Sequence, residues 1–235
     1  MRLRMVHGFS QTTRSWEALE KALPLEWDVQ ALDVPDGLDF VATADALGHR
    51  GGEGTWVGYS MGARLVLRVA LDRPAVVERL VLLSGTAGIE SVTQRRARRE
   101  SDEQLARDAE RDGVEQFLER WLGQRLFETL PRDAAQLDIR RRAYTVARLT
   151  HQLRMLGQGE QEPLWDRLST LNMPVLILCG QWDRTYSDLA ARMAAAIGPN
   201  AQVRVVAKAG HALHLERPEE VAHELTTWLE GGATS

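Results

Sequence analysis

Gly58-Tyr59-Ser60-Met61-Gly62 follows a short apolar run and opens an apolar segment with helical spacing. A Gly-x-Ser-x-Gly stretch between a strand and a helix predicts a sharp turn that lifts the serine Oγ clear of a sheet. The small residues two before and two after the serine let the backbone fold tightly there. Serine is a weak nucleophile or base at its free pKa and needs a histidine beside it. That histidine in turn needs a carboxylate to fix its tautomer and steady the imidazolium.

Two later positions supply such groups. Asp183 follows Leu178-Cys179-Gly180-Gln181-Trp182, a strand end turning into a loop, and His211 follows Gly210 after a further strand. Active-site groups of open α/β sheets gather at the carboxyl ends of parallel strands, and both positions are of that kind. Ser60, Asp183 and His211 are therefore the expected catalytic groups. Their order along the chain resembles that of the α/β-hydrolases and differs from the orders in chymotrypsin-like and subtilisin-like proteases.

Around these positions, residues 3–6, 29–33, 55–57, 80–83, 174–179 and 203–206 read as strands. Residues 63–71 read as a helix stopped by Pro74, and 218–229 as a closing amphipathic helix. The continuous apolar run Leu80-Val81-Leu82-Leu83 suits a parallel strand buried on both faces. From about residue 90 to 167 the chain is helical in pattern, heavily charged and poor in strand signals. The expected architecture is α/β, an α/β-hydrolase fold with a mostly parallel sheet flanked by helices and an inserted helical lid. Residues 1–87 and 168–235 form its two core parts and 88–167 the lid. The antiparallel strands that often open this fold look missing or abbreviated.

Composition narrows the class. The chain has 235 residues, 44% hydrophobic and 26% charged, which suits one soluble globular unit. A net charge of −4 speaks against nucleic-acid binding, and no apolar run is long enough to span a bilayer, so no membrane insertion is expected. Cys179 has no partner for a disulfide, and no signal-peptide pattern opens the chain, so a cytoplasmic location is expected. Among 29 basic residues only Lys21 and Lys208 are lysines, which lowers the information carried by any one arginine. A monomer or small homo-oligomer is expected.

Other chemistries find little support. His211 and His214 are three apart, but no His-Glu-x-x-His pattern exists, so no metal is expected and His214 reads as a packing or loop-tethering residue, or a minor site residue. Gly51-Gly52-Glu53-Gly54 lacks the Lys-Ser/Thr of a phosphate loop. No cofactor is expected.

Several segments together resemble the 2-succinyl-6-hydroxy-2,4-cyclohexadiene-1-carboxylate synthase (SHCHC synthase) family of menaquinone synthesis. They are His7-Gly8-Phe9 with Trp16, the elbow with Arg64, residues 95–102, and Phe117-Leu118-Glu119-Arg120-Trp121 with Leu126-Phe127. Later come Leu153-Arg154-Met155-Leu156-Gly157-Gln158-Gly159, Leu164-Trp165, Gly180-Gln181-Trp182-Asp183, and residues 210–218. The similarity covers nearly the whole chain, and the lid segments are its most family-specific part.

The resemblance implies an elimination of pyruvate from an enolpyruvyl-bearing cyclohexene, started when Ser60, made basic by His211, removes a proton. The loop after the first strand is expected to give one backbone N–H, that of Phe9 or Ser10, to an oxyanion hole, with Met61 N–H giving the other. A small-molecule substrate with several carboxylates needs cations, and arginine meets a carboxylate in two parallel hydrogen bonds. Arg64 and Arg98 match family arginines, a third falls within 140–142 with Arg141 favoured, and Tyr59, Trp121 and Tyr186 would line the pocket. The chain departs from the family in lacking Gly-His after Asp33-Val34-Pro35 and in carrying Tyr186 where Phe is usual. The alternatives are a carboxylesterase or related hydrolase acting through an acyl-serine, and a non-catalytic binding protein on the same fold.

Overall fold

The computed structural model describes residues 1–231. Six strands, β1 (Arg2–Val6), β2 (Asp28–Leu32), β3 (Gly54–Tyr59), β4 (Val77–Leu83), β5 (Val175–Gly180) and β6 (Ala201–Val206), form one sheet in the order β2-β1-β3-β4-β5-β6. Every neighbouring pair is parallel. Helices α1 (Glu17–Ala22), α2 (Phe40–Gly51), α3 (Met61–Asp72), α4 (Val92–Leu122), α5 (Leu137–Ala143), α6 (Val146–Leu156), α7 (Arg184–Ile197), α8 (Leu213–Glu216) and α9 (Pro218–Gly231) surround it. This is the α/β-hydrolase architecture expected from the sequence, with no antiparallel strand ahead of β1 among the described residues.

Strand side chains alternate between faces, so each central strand feeds two cores. Trp56, Leu80, Leu82, Val175 and Ile177 meet α2, α3 and α7 on one side. Leu3, Met5, Val57, Val81, Leu83, Leu176 and Leu178 meet α1, α8 and α9 on the other. The near-continuous burial of β3, β4 and β5 follows from this double coverage.

The chain leaves the sheet after β4 and returns at β5, and the connection carries α4, α5 and α6. These helices bury a small core of their own, in which Ala106, Ala109 and Phe117 face Leu149 and Leu153. Within α4 the helix breaks at Gly113, whose φ of +79° a side chain would resist. The break lets Phe117 and Trp121 turn toward Phe9, whose ring lies 6.2 Å and 4.8 Å from theirs, edge to face.

After β1 the chain moves outward to β2, then crosses back to lay β3 on the other side of β1. The crevice where strand order reverses therefore opens between the carboxyl ends of β1 and β3. The loop carrying His7, Gly8 and Phe9 and the turn carrying Ser60 both sit there.

Candidate active site

Ser60 occupies the turn between β3 and α3 with φ of +50° and ψ of −106°, a region that non-glycine residues avoid. Two close approaches hold it there. A Cβ at Gly62 would run into the Val6 carbonyl oxygen, and one at Gly58 would come within 2.5 Å of the Gly62 carbonyl oxygen. Ser60 N–H donates to the Leu83 carbonyl at 2.9 Å, fixing the turn to β4.

His211 Nε2 lies 3.1 Å from Ser60 Oγ, and His211 Nδ1 lies 2.7 Å from Asp183 Oδ2. Asp183 and His211 are buried. Asp183 also caps α7, its Oδ1 accepting from Tyr186 N–H at 3.3 Å, so its carboxylate is held from two directions. The loop before it is tied to the histidine loop, because Trp182 N–H donates to the Ala209 carbonyl at 2.9 Å.

Sequence reasoning passed over the group that shapes the histidine loop. Glu216 on α8 accepts from Gly210 N–H at 2.7 Å and from Ala212 N–H at 3.0 Å, gripping the backbone on both sides of His211. Ser84 Oγ donates to the His211 carbonyl at 2.9 Å. The i, i+5 offset of Glu216 from His211 is the only signal the sequence held.

Above the triad lies a pocket with about 680 Å³ of empty space, part of it open to solvent. Its lining includes Phe9, Tyr59, Ser60, Met61, Arg64, Arg98, Trp121, Tyr186 and His211, which the sequence singled out. Arg141 is not among them. Its guanidinium points outward to Glu115 at 3.1 Å, Glu119 at 2.8 Å and Asp138 at 3.3 Å. The arginine of that run which enters the pocket is Arg140, buried at 2% exposure. Adjacent helical positions point about 100° apart, and α5 turns Arg140 and Tyr144 inward together, one turn apart.

Two of the pocket arginines, Arg64 and Arg140, have no carboxylate bonded to them, unlike Arg107, Arg111, Arg141 and Arg154 on the insertion's outer surface. Arg64 donates to the Leu156 carbonyl at 2.7 Å and to Gln161 Oε1 at 3.2 Å, and no carboxylate binds it. Arg140 donates to the Ala135 carbonyl at 2.8 Å and to Ser10 Oγ at 3.0 Å. Burial draws the pKa of each down to about 10, which still leaves both charged at neutral pH. Arg98 is the exception, donating to Asp102 Oδ1 at 2.9 Å and to Gln158 Oε1 at 2.7 Å. Tyr59 OH, Trp121 Nε1 and Gln152 Nε2, all on lining residues, are buried without a partner among the described residues. Orphaned donors beside uncompensated cations make a cavity suited to an anion rich in acceptors.

Gly8, beneath Phe9, is held by Gln11, which donates its own N–H to the Gly8 carbonyl and accepts the Gly8 N–H, both at 3.2 Å. The N–H groups of Phe9 and Met61 form no hydrogen bond within the loop, and Met61 opens α3, where amides lack intrahelical partners. His214 packs between Tyr59 and Trp16 with ring centroids 4.2 Å and 4.7 Å away, and burial holds its pKa well below the ordinary histidine value. No cluster of three His, Cys, Asp or Glu among the described residues is placed to hold a metal ion. No described helix is long and apolar enough to cross a membrane.

The alpha/beta hydrolase family model matches residues 5–224. A putative 2-succinyl-6-hydroxy-2,4-cyclohexadiene-1-carboxylate synthase of Bacillus subtilis is 30% identical, over 91% of this chain and 84% of its own length. The enzyme of that name from Serratia proteamaculans is 28% identical, over 95% and 91%. Among solved structures, MenH from S. aureus superposes with a TM-score of 0.91 at 26% identity, covering 98% of this chain and 94% of that one.

Proposed function

The chain belongs to the alpha/beta hydrolase family, in the SHCHC synthase branch, and from that premise we propose that it is a lyase that eliminates pyruvate from an enolpyruvyl cyclohexene carboxylate. The observation that carries this reading is the pairing of a complete Ser-His-Asp array with a pocket in which Arg64 and Arg140 are buried with no carboxylate hydrogen-bonded to either.

Ser60 Oγ, hydrogen-bonded to His211, removes the proton from the ring carbon as its own proton passes to Nε2. The C–H pair becomes a ring double bond, the ring carbon–oxygen bond breaks, and the enolpyruvyl group leaves as the enolate of pyruvate. The proton on His211 returns through Ser60, and the enolate gains a proton at its methylene carbon to give pyruvate. Asp183 stabilises the transient imidazolium. The N–H groups of Phe9 and Met61 receive the negative charge that develops next to the abstracted proton. Arg64, Arg98 and Arg140 hold substrate carboxylates and so fix which carbon faces Ser60, while Tyr59, Trp121 and Tyr186 wall the ring.

An esterase needs the same triad but not three cations around the reacting carbon. The deciding experiment measures pyruvate release from the enolpyruvyl cyclohexene by the wild-type protein and by Ser60→Ala. Rapid release lost in the variant supports the lyase. Absence of release from a folded wild-type protein that hydrolyses neutral esters would replace it with the esterase.

A further inference from the structure

Asp102 is a carboxylate in a cavity otherwise arranged for carboxylates. It sits on α4 at 3% exposure and lines the pocket with Arg64, Arg98 and Arg140. One oxygen, Oδ1, accepts from Arg98 Nε at 2.9 Å. The other, Oδ2, is buried without a partner, and the Gly157 backbone approaches so closely that a Cβ there would come within 2.5 Å of it. The remaining orphaned polar atoms of the lining (Tyr59 OH, Trp121 Nε1 and Gln152 Nε2) are donors, and Asp102 Oδ2 is the acceptor among them. As a carboxylate it would repel an arriving anion. As a carboxylic acid it would be one more donor.

The charges around it decide which form prevails. Arg98 bonds it from its own helix and Arg64 acts on it from α3, while Arg140 on α5, Tyr186 on α7, Tyr59 on β3 and His211 in the loop after β6 line the same pocket. Gly157 and Gln158, after α6, do not titrate. In the open pocket the arginines favour ionised Asp102. Once substrate carboxylates engage those arginines, their charge is spent on the ligand, and a second carboxylate in the same dry space loses its compensation. Two carboxylates sharing one site favour one proton between them.

We propose that Asp102 takes up one proton when an anionic ligand fills the pocket and then donates from Oδ2 to a carboxylate of that ligand. The proton comes from solvent, so binding one anion consumes one hydrogen ion and no covalent bond changes. Asp102 is thus a specificity determinant that admits polyanions and returns to its bond with Arg98 when they leave. Burial already pushes the Asp102 carboxyl above the ordinary aspartate value, which shortens the step to the acid. The proposal rests on the anionic-substrate part of the function above, and not on the elimination step.

The test measures the Kd of isophthalate, a dianion throughout the range, from pH 6 to 8 for the full chain and for Asp102→Asn. Proton uptake makes wild-type binding weaken by up to about tenfold per pH unit. In Asp102→Asn the amide is a permanent donor, so the dependence due to this residue disappears and binding at pH 8 exceeds that of wild type. His211 is present in both proteins, so its contribution cancels in the comparison. A wild-type Kd independent of pH, a slope unchanged in the variant, or no isophthalate binding at pH 6 would each overturn the proposal. Because isophthalate is not turned over, pH-linked binding without pyruvate release would discard only the lyase. Pyruvate release with pH-independent binding would discard only the proton uptake.

Discussion

Arg148 on α6 donates to Asp33 Oδ1 at 2.9 Å, and the same carboxylate oxygen lies 2.7 Å from His7 Nε2. One carboxylate thus joins the helical insertion to the strand end that carries the Phe9 loop. Arg148 also reaches Asp36 at 3.1 Å and lies 4.8 Å over the Tyr144 ring.

The bond has a pH signature. Burial alone would raise the Asp33 pKa, but hydrogen bonds from His7 and Arg148 outweigh it and bring it to about 2. A depressed folded-state value means the contribution to stability is full above the unfolded aspartate pKa of roughly 4 and is lost as pH falls toward 2. Acid-unfolding midpoints should therefore move to higher pH in Arg148→Met. A midpoint unchanged from wild type would show that Arg148 contributes nothing to holding Asp33 ionised.

Ser60→Ala and His211→Ala should each lower turnover by at least about 10²- to 10⁴-fold, the usual contribution of a positioned general base, with thermal unfolding little changed. The measurement is steady-state kinetics on both variants. Activity near wild type in either one removes that residue from the mechanism.

Neighbouring arginines should behave oppositely. Arg140→Ala removes a buried charge-assisted partner worth roughly 1.5–3 kcal/mol, so kcat/KM for a carboxylate-bearing substrate should fall about 10- to 150-fold. Arg141→Ala breaks exposed ion pairs and should change activity by less than about twofold. Equal losses in the two variants would contradict the helix phase seen in α5.

Glu216 grips the histidine loop from outside the pocket lining. In Glu216→Gln one of the two backbone N–H groups meets an amide N–H instead of an acceptor. The expected result is a kcat reduced about tenfold or more with KM nearly constant, since only the orientation of His211 changes. A KM effect with normal kcat would point instead to damage in the pocket wall.

Much of this architecture was legible from punctuation in the chain. Apolar runs marked β4 and β5 because strands covered on both faces carry little else. The end of β3 was harder, because Gly58 and Tyr59 belong to the strand although glycine there serves the turn. The positions of Ser60, Asp183 and His211 were readable because each sits at a strand end, where the topology brings loops together. Arg140 was not readable against Arg141. Its inward direction depends on where α5 begins, and Gln136, with φ of +55°, resets the phase in a way that three consecutive arginines cannot reveal. Asp102 closed the family-like segment 95–102, but its burial was not readable, because within a highly charged helix nothing local separates one buried acid from its solvated neighbours.

The connection between β4 and β5 has a consequence for how such a molecule diversifies. Its two ends are fixed by the parallel pairing of β4 and β5, with Leu80 opposite Val175 and Leu83 opposite Leu178, so it leaves at one end of the strands and returns at the other. Closing a flexible connection costs entropy that grows only with the logarithm of its length, about 0.6 kcal/mol for each doubling. The sheet therefore tolerates insertions of very different size at this one gap with little change in its own stability. The insertion packs a small core of its own, and it meets the sheet's two cores only through a few side chains such as Phe127, Leu130, Leu156 and Trp165. Natural selection could exchange the roof of the pocket, and with it the choice of substrate, while the machinery beneath is inherited unchanged.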